Sequence, residues 1–352
     1  MTQNFAQTPP YWTKVQYKSF FFSDKKDSPV TEVEYQVSAR KTIGMKEARL
    51  LKSLESDRTS AATNSALSVL LIVVFMLALC SRVMGQQEQN TEELAKQTQN
   101  PVANLISVPL QNNFNFGAGL HHDKMLYVLN IQPVIPIKLN EEWNLISRII
   151  MPVINQPSLF PTHNGTLPST TGTGLGDINP TFFLSPGTPG ELIWGIGPTF
   201  TLPTATDKDL GAGQFSMGPA GVVLTMQGHW VFGALMNNQW SVAGWGDKPV
   251  NAMLLQPFVN YNLPDGWYLT TSPIVTANWK ADKAGDVWTV PLGGGVGKLF
   301  RLGQILPLEG HPLAKLPINT QLAAYGNVAR TEFGPEWQLR FQIQFLFPTG
   351  TK

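Results

Sequence analysis

The chain has 352 residues, 43% of them hydrophobic and only 14% charged, with 31 glycines and 27 prolines; this suits a β-rich protein with an apolar surface. A net charge of +1 without a basic cluster leaves no electrostatic footprint for nucleic acid. The single cysteine, Cys80, falls in the leader, so the rest of the chain can form neither a disulfide nor a thiolate metal site.

The first feature in chain order is the run ALSVLLIVVFMLALC, Ala66–Cys80. It is shorter than the ~20 residues of a transmembrane helix and matches the core of an export signal. Lys41, Lys46, Arg49, Lys52 and Arg58 precede it, and Val83-Met84-Gly85 before Gln86 puts signal cleavage near Gly85 and Gln86. Two features depart from a tidy signal. Arg82 lies inside the cleavage region, and the segment ahead is long, so Met45 reads as the start or residues 1–44 as an extension. The competing reading is an uncleaved inner-membrane anchor. We assign residues 1–85 to an N-terminal extension plus signal peptide, with a signal helix.

Residues 86–104 form a short polar segment, helical near Glu92 to Gln99 and able to supply a plug. From Leu105 onward period-two alternation replaces helical periodicity. Twelve segments follow, near 105–116, 125–137, 143–154, 175–185, 191–202, 214–226, 229–241, 251–263, 267–279, 287–300, 316–328 and 336–347. Most are longer than a globular strand and match the ~9–11 residues of a tilted strand crossing a bilayer, with overhang.

Met253, Leu255, Pro257, Val259, Tyr261 and Leu263 share one face; Leu254, Gln256, Phe258, Asn260 and Asn262 share the other. Trp267 to Trp279 repeats the division after a Pro264-Asp265-Gly266 turn. A greasy face capped by aromatics opposite a mixed face is the pattern of a membrane barrel strand. A soluble β-sandwich would also alternate, but with its apolar face inward. Short turns at 140–142, 187–190, 226–228 and 264–266 alternate with longer links, except that the long 301–315 link stands where a short turn is expected. The fold class is therefore all-β, an antiparallel up-and-down transmembrane barrel of about twelve strands over residues 105–348, with a 349–352 tail.

Folding back at the 264–266 turn pairs residues whose numbers sum to 530, which sets Pro257 opposite Pro273. The same arithmetic matches Pro180 with Pro198, Pro198 with Pro219 and Pro273 with Pro291. A proline belt at one height results, with kinks expected at Pro133, Pro198, Pro219, Pro257 and Pro273, because each proline removes a ladder donor. The alternative puts these prolines near one rim, where unpaired groups meet water.

Chemistry-bearing constellations are scarce. His121, His122, His163, His229 and His311 lack metal-ligand spacing. The glycine run Gly293–Gly297 lacks the Lys-Ser/Thr of a phosphate loop. Arg148, Gln256, Asn260, Asn278, Arg340 and Gln342 lie on faces directed to the lumen, where an ionisable group lines water or meets a partner; a structural network filling the barrel is the other reading. No metal or other cofactor is called for. The closing strand WQLRFQIQFLF has the aromatic-ended form that barrel-assembly machinery recognises, although Pro-Thr-Gly-Thr-Lys follows it.

The stretches LAKQTQNPVANLISVPLQNNFNFG, GLGDI, GPTFTLPTAT, LLQPFVNYNLPDGWYLTTSPIVTANW and VPLGGGVGK together closely resemble the bacterial protein family named for the meta-pathway of phenol degradation, some of whose members carry the label neuromedin U. The likeness runs from about Leu94 to Phe347 and leaves residues 1–85 outside. It implies an outer-membrane β-barrel of a Gram-negative cell, of a kind described as a transporter of hydrophobic or aromatic compounds, and carries no residue-level site. The expected function is passage of a small-molecule solute through a narrow lumen or a lateral gap near the proline belt, in contact with outer-membrane lipid and without bond chemistry. Two alternatives stand beside it. One is an outer-membrane hydrolase using His229, the single mid-strand histidine; the other is a structural or adhesion barrel without flux.

Overall fold

The structure, a computed structural model, describes residues 91–159 and 172–347. The signal run, the cleavage positions Gly85 and Gln86, His163 and the 349–352 tail lie outside those residues. Within them, helix α1 (Thr91–Thr98) precedes one antiparallel sheet of fifteen strands. These are β1 (Ile106–Ala118), β2 (Lys124–Ile131), β3 (Val134–Lys138), β4 (Trp143–Gln156), β5 (Gly172–Leu175), β6 (Asn179–Pro186), β7 (Leu192–Thr201), β8 (Gln214–Gln227), β9 (Trp230–Gly244), β10 (Asn251–Asn262), β11 (Trp267–Thr271), β12 (Val275–Asn278), β13 (Trp288–Arg301), β14 (Pro317–Ala329) and β15 (Trp337–Phe347).

Three staves of the wall are built from two strands each. β2 and β3 lie end to end along one side of β4, β5 and β6 along its other side, and β11 and β12 along β10. Fifteen strands therefore make twelve staves. β1 pairs with β15 from Ile106 against Phe347 to Phe116 against Trp337, and β9 pairs with β10. The sheet closes on itself, which removes the exposed edges an open sheet would present.

The two faces are inverted relative to a soluble sandwich. Ile196, Met236, Leu269, Leu292 and Leu322 stand exposed on the outside, while Gln111, Asn113, Asn130, Gln256 and Arg340 are buried within. Burying amides while exposing leucine side chains is unfavourable in water and favourable when the outer solvent is hydrocarbon. Aromatic pairs mark both borders of the apolar band. Toward the long loops, Phe116 stacks on Trp337 with centroids 4.3 Å apart and Trp279 meets Trp288 edge-on at 5.3 Å. Toward the short turns, Trp230 leans on Tyr261 at 4.7 Å and the Lys298 ammonium lies 4.6 Å from the Trp267 ring centre. Indole and phenol rings with one wet edge favour the headgroup level.

Connections sort by end. The turns 139–142, 187–191, 228–229 and 263–266 share one end with the 302–316 link, which folds as 3-10 turns at Leu302–Gln304 and Pro312–Lys315. The turn at 263–266 places Asp265 at φ 58° and Gly266 at φ 76°, left-handed conformations that Gly and Asp adopt at low cost. At the opposite end the 202–213 loop is tied down by Asp177, whose carboxylate accepts the N–H groups of Ala205 (3.1 Å) and Ala212 (2.7 Å).

The proline register is partly as expected. Val259 pairs with Thr271 and Leu255 with Val275, which sets Pro257 opposite Pro273, and Pro198 pairs directly with Pro219. Two alignments are corrected. Thr181 pairs with Thr199, so Pro198 comes level with Phe182 and not Pro180; Thr276 pairs with Thr289, so Pro273 comes level with Leu292 and Pro291 turns to the other face. The chain itself breaks beside only two of the five prolines, at 132–133 and 272–274, and a third break at 176–178 contains no proline.

Pro198, Pro219 and Pro257 lie in unbroken strands. The physical reason is the direction of the missing N–H. The β8–β9 ladder loses its partners at Gly218 and Pro219, the β6–β7 ladder between Ile196 and Thr199, and β10 is unpaired toward β11 and β12 at 256–258. In each case the gap opens between neighbouring strands, so the strand carrying the proline runs on unbroken.

The glycine run has a packing role. A Cβ on Gly297 would stand 2.1 Å from the Tyr268 ring, whose hydroxyl donates to Asn319 Oδ1 at 2.9 Å. Glycine here lets a buried tyrosine lie flat on the inner wall.

Met236 sits near the middle of β9 with its side chain 48% exposed on the outside. Met236→Arg is expected to destabilise the barrel in lipid vesicles by about 2–4 kcal/mol, and Trp240→Arg, nearer the border, by about 0–1 kcal/mol. Urea titration of the folded fraction, read from gel mobility of unheated samples, checks the depth dependence.

Candidate functional site: the lumen

The inward positions form two arcs, one holding an apolar cluster and one lined by amides, and the staves of the first also carry buried polar residues, among them Thr181, Asn237, Gln239 and Gln256. β4, β6, β8, β9 and β10 contribute Ile146, Phe183, Val222, Leu224, Leu235, Leu254 and Phe258, which pack as one apolar cluster. β1, β2, β14 and β15 contribute Gln111, Asn113, Asn115, Asn130, Asn319, Gln338, Arg340, Gln342 and Gln344, all buried. Parity sets which side chains face inward, since β15 places its glutamines and arginine on even, buried numbers and its aromatic residues on odd ones.

The polar arc is a hydrogen-bonded ladder. Gln111 Nε2 donates to Asn113 Oδ1 (2.6 Å), Asn113 and Asn115 donate to the carbonyls of Val128 and Leu126 (3.1 Å each), and Gln338 donates to Asn115 (2.7 Å). Arg340, 2% exposed, donates through Nη2 to Gln338 Oε1 (3.1 Å) and through Nη1 to the Ser272 carbonyl (2.9 Å), and its guanidinium lies 4.6 Å from the Tyr325 ring centre.

That cluster repairs the chain break beside Pro273. The Ser272 N–H donates to Tyr325 Oη (3.2 Å), its carbonyl accepts from Arg340, and its Oγ accepts from Gln256 Nε2 (2.6 Å). A backbone group left open in a wall facing hydrocarbon costs several kcal/mol; Tyr325 and Arg340, from two other staves, cover the Ser272 N–H and carbonyl, and Gln256 holds its hydroxyl. The break at 132–133 is treated alike: Gln132 N–H donates to the Pro109 carbonyl, Ile149 N–H to the Pro133 carbonyl, and Arg148 Nη2 to Gln132 Oε1 at 3.1 Å.

Residues 91–105 occupy the short-turn end of the lumen. Leu94, Ala95, Ala103 and Leu105 pack on the inward Leu299 and Leu346, and Val102 joins the apolar arc beside Phe183. Gln99 and Asn262 exchange amide hydrogen bonds in both directions, at 2.8 and 3.3 Å. Two polar cavities flank this segment. One, of about 30 Å3, is bordered by Thr98, Gln99, Asn260, Tyr268, Asn319 and Arg340; the other, of about 20 Å3, by Thr98, Pro101, Ser107, Arg148 and Gln344. Such volumes hold one or two water molecules each. A wider pocket of about 200 Å3 lies at the mouth between α1 and the turns, beside Lys96, His229 and Asn262.

Of the residues assigned to the lumen by alternation, Arg148, Gln256, Asn260, Arg340 and Gln342 are buried on inward faces. Asn278 stands apart from them. It ends β12 at the long-loop rim, half-buried, with its Oδ1 accepting the Lys280 N–H at 3.0 Å. His229 is in the exposed Gly228-His229 turn and not in mid-strand, because β9 begins one residue later. Sequence reasoning missed Tyr325, Gln132 and the segment's own Thr98 and Gln99. The inward parity of β14 carried a signal for Tyr325; nothing in the local pattern of 98–99 carried one.

Against solved structures, the chain is similar to the COG4313 outer membrane channel from Pseudomonas putida F1, at 16% identity and TM-score 0.50 over 69% of this chain and 94% of that one. This is the fold of an outer-membrane barrel. The NanC porin matches at 8% identity and TM-score 0.44, covering 68% of this chain and 99% of that one, and the Pseudomonas putida toluene transporter TodX at 11% and 0.32, covering 72% and 93%. A scan against protein-family models and a search of curated proteins find no match.

Tyr325→Phe keeps the ring under Arg340 but leaves the Ser272 N–H without its acceptor, and is expected to cost about 1–3 kcal/mol of stability. Faster hydrogen exchange at the Ser272 amide than in the wild type is the accompanying sign.

Proposed function

We propose that the protein is an outer-membrane channel of the meta-pathway kind, through which small molecules, hydrophobic or aromatic ones among them, pass by the lumen, and that residues 91–105 plug it. The observation that carries this reading is the separate segment lodged in the lumen. A twelve-stave barrel encloses more space than the roughly eight staves whose side chains fill a barrel unaided, and here part of that space is taken by a piece of chain that is not part of the wall. A segment held by side-chain packing and an amide pair, and by no strand pairing, can move without unpairing any stave.

The lumen is favoured over a lateral gap, since each interruption in the ladders has paired residues on both sides. No bond chemistry belongs to this reading. The histidine on which a hydrolase would rest lies exposed in a turn, its ring beside Tyr261. Trp337, Phe341, Phe345 and Phe347 of β15 support recognition by barrel-assembly machinery, and the outward apolar band supports contact with outer-membrane lipid.

Reconstitution in planar bilayers tests the plug. Leu94→Asp combined with Val102→Asp puts charge where the segment packs on the apolar inner wall, and is expected to raise single-channel conductance severalfold over the wild type. Equal conductance in the two proteins would show that the segment does not obstruct passage.

A further inference from the structure

The charges of the wall are of one sign. The strands carry Lys124, Lys138, Arg148, Lys298, Arg301 and Arg340 and no Asp or Glu; among the described residues every carboxylate lies in a connection or in α1. Four of these cations lie near strand ends, with Lys298 outside against Trp267, which leaves Arg148 and Arg340 as the charges inside.

Arg340 is the more informative. Its hydrogen-bond acceptors are an amide oxygen and a backbone carbonyl, both neutral, and no carboxylate among the described residues reaches it. Its Nε has no partner, and the side chain borders the cavity of about 30 Å3 together with Tyr268, Asn319 and Gln342. A buried guanidinium without a counter-charge is costly in a low-dielectric wall, and a visiting anion relieves that cost. Guanidinium also has the planar donor geometry that fits a carboxylate. Phe258 and Leu254 of the apolar arc share the inward face of β10 with Gln256, whose amide donates to the Ser272 hydroxyl, and with Asn260 at the rim of the same cavity.

We propose that Arg340 is a recognition site for the carboxylate of a small organic acid, whose hydrocarbon body faces the apolar arc as it passes. The cavity is sized for the headgroup alone while residues 91–105 are in place, so the body follows only when the segment shifts. The inference rests on the passage reading above and narrows its solute to anions.

Wild-type protein in vesicles is offered benzoate, benzyl alcohol and benzylamine, three probes of similar size and different charge, and its reversal potential is measured in bilayers under a potassium chloride gradient. The expected result is chloride selectivity and a preference for benzoate over benzylamine on the order of tenfold. Arg340→Gln is expected to bring that ratio near one. Gln342→Glu leaves Arg340 and its bonds to Ser272 and Gln338 intact, sets a carboxylate two residues along the same face, and is expected to reverse the preference; it decides the matter if the arginine variant fails to assemble. Equal passage of the three probes through the wild type, or an unchanged ratio in Gln342→Glu, overturns the anion site and leaves the channel reading standing. A wild-type protein that passes none of them overturns both.

Discussion

Hydrocarbon offers a backbone amide no partner, and the rest of this structure depends on that constraint. A closed antiparallel sheet satisfies nearly every such group by pairing stave to stave, from β1 on β15 to β9 on β10. Prolines work against it, since each removes a donor. The chain accommodates them by opening ladder gaps between strands, as on the outer sides of Pro198 and Pro219, or by breaking a stave and covering the exposed backbone groups with buried side chains, as Arg340 and Tyr325 do at Ser272.

These repairs also shape the lumen. A side chain that reaches from one stave to mend another must be long, polar and inward, so mending the wall brings arginine and amides into the interior. The polar arc is thus a structural network and a candidate lining for passage at the same time. The apolar arc on the other side meets two breaks, at 272–274, where Ile274 joins it, and at 176–178, where the Gly176 N–H donates to the Pro152 carbonyl and the Ile178 N–H to Thr204 Oγ1. The proposed recognition of an organic acid draws on both parts, the guanidinium for the head and the apolar cluster for the body.

Much of the wall was legible from residue order because a strand's side-chain period is two and its pairing is nearly local. Gln256, Asn260, Arg340 and Gln342 could be placed inside by parity alone. Asn278 shows where that reasoning thins out: parity gives a side, but at a strand's last residue the chain turns away and the side chain caps the turn. The proline alignments show a second weakness. Assuming a symmetric fold-back gave Pro257 with Pro273 and Pro198 with Pro219, yet it was off by two residues at Pro180 and by one at Pro291, where loop geometry and not the midpoint sets register.

Local alternation, then, was enough to determine a closed barrel with lipid outside and amides within, because oil and water on two faces of a sheet leave a period-two record in any strand. What only the tertiary structure decided is which side chains meet across staves: Arg340 with the Ser272 carbonyl, Gln99 with Asn262, Gly297 beneath Tyr268. Those partners lie tens to more than a hundred residues apart, and their meeting depends on register, chain breaks and the docking of residues 91–105, none of which leaves a periodic trace.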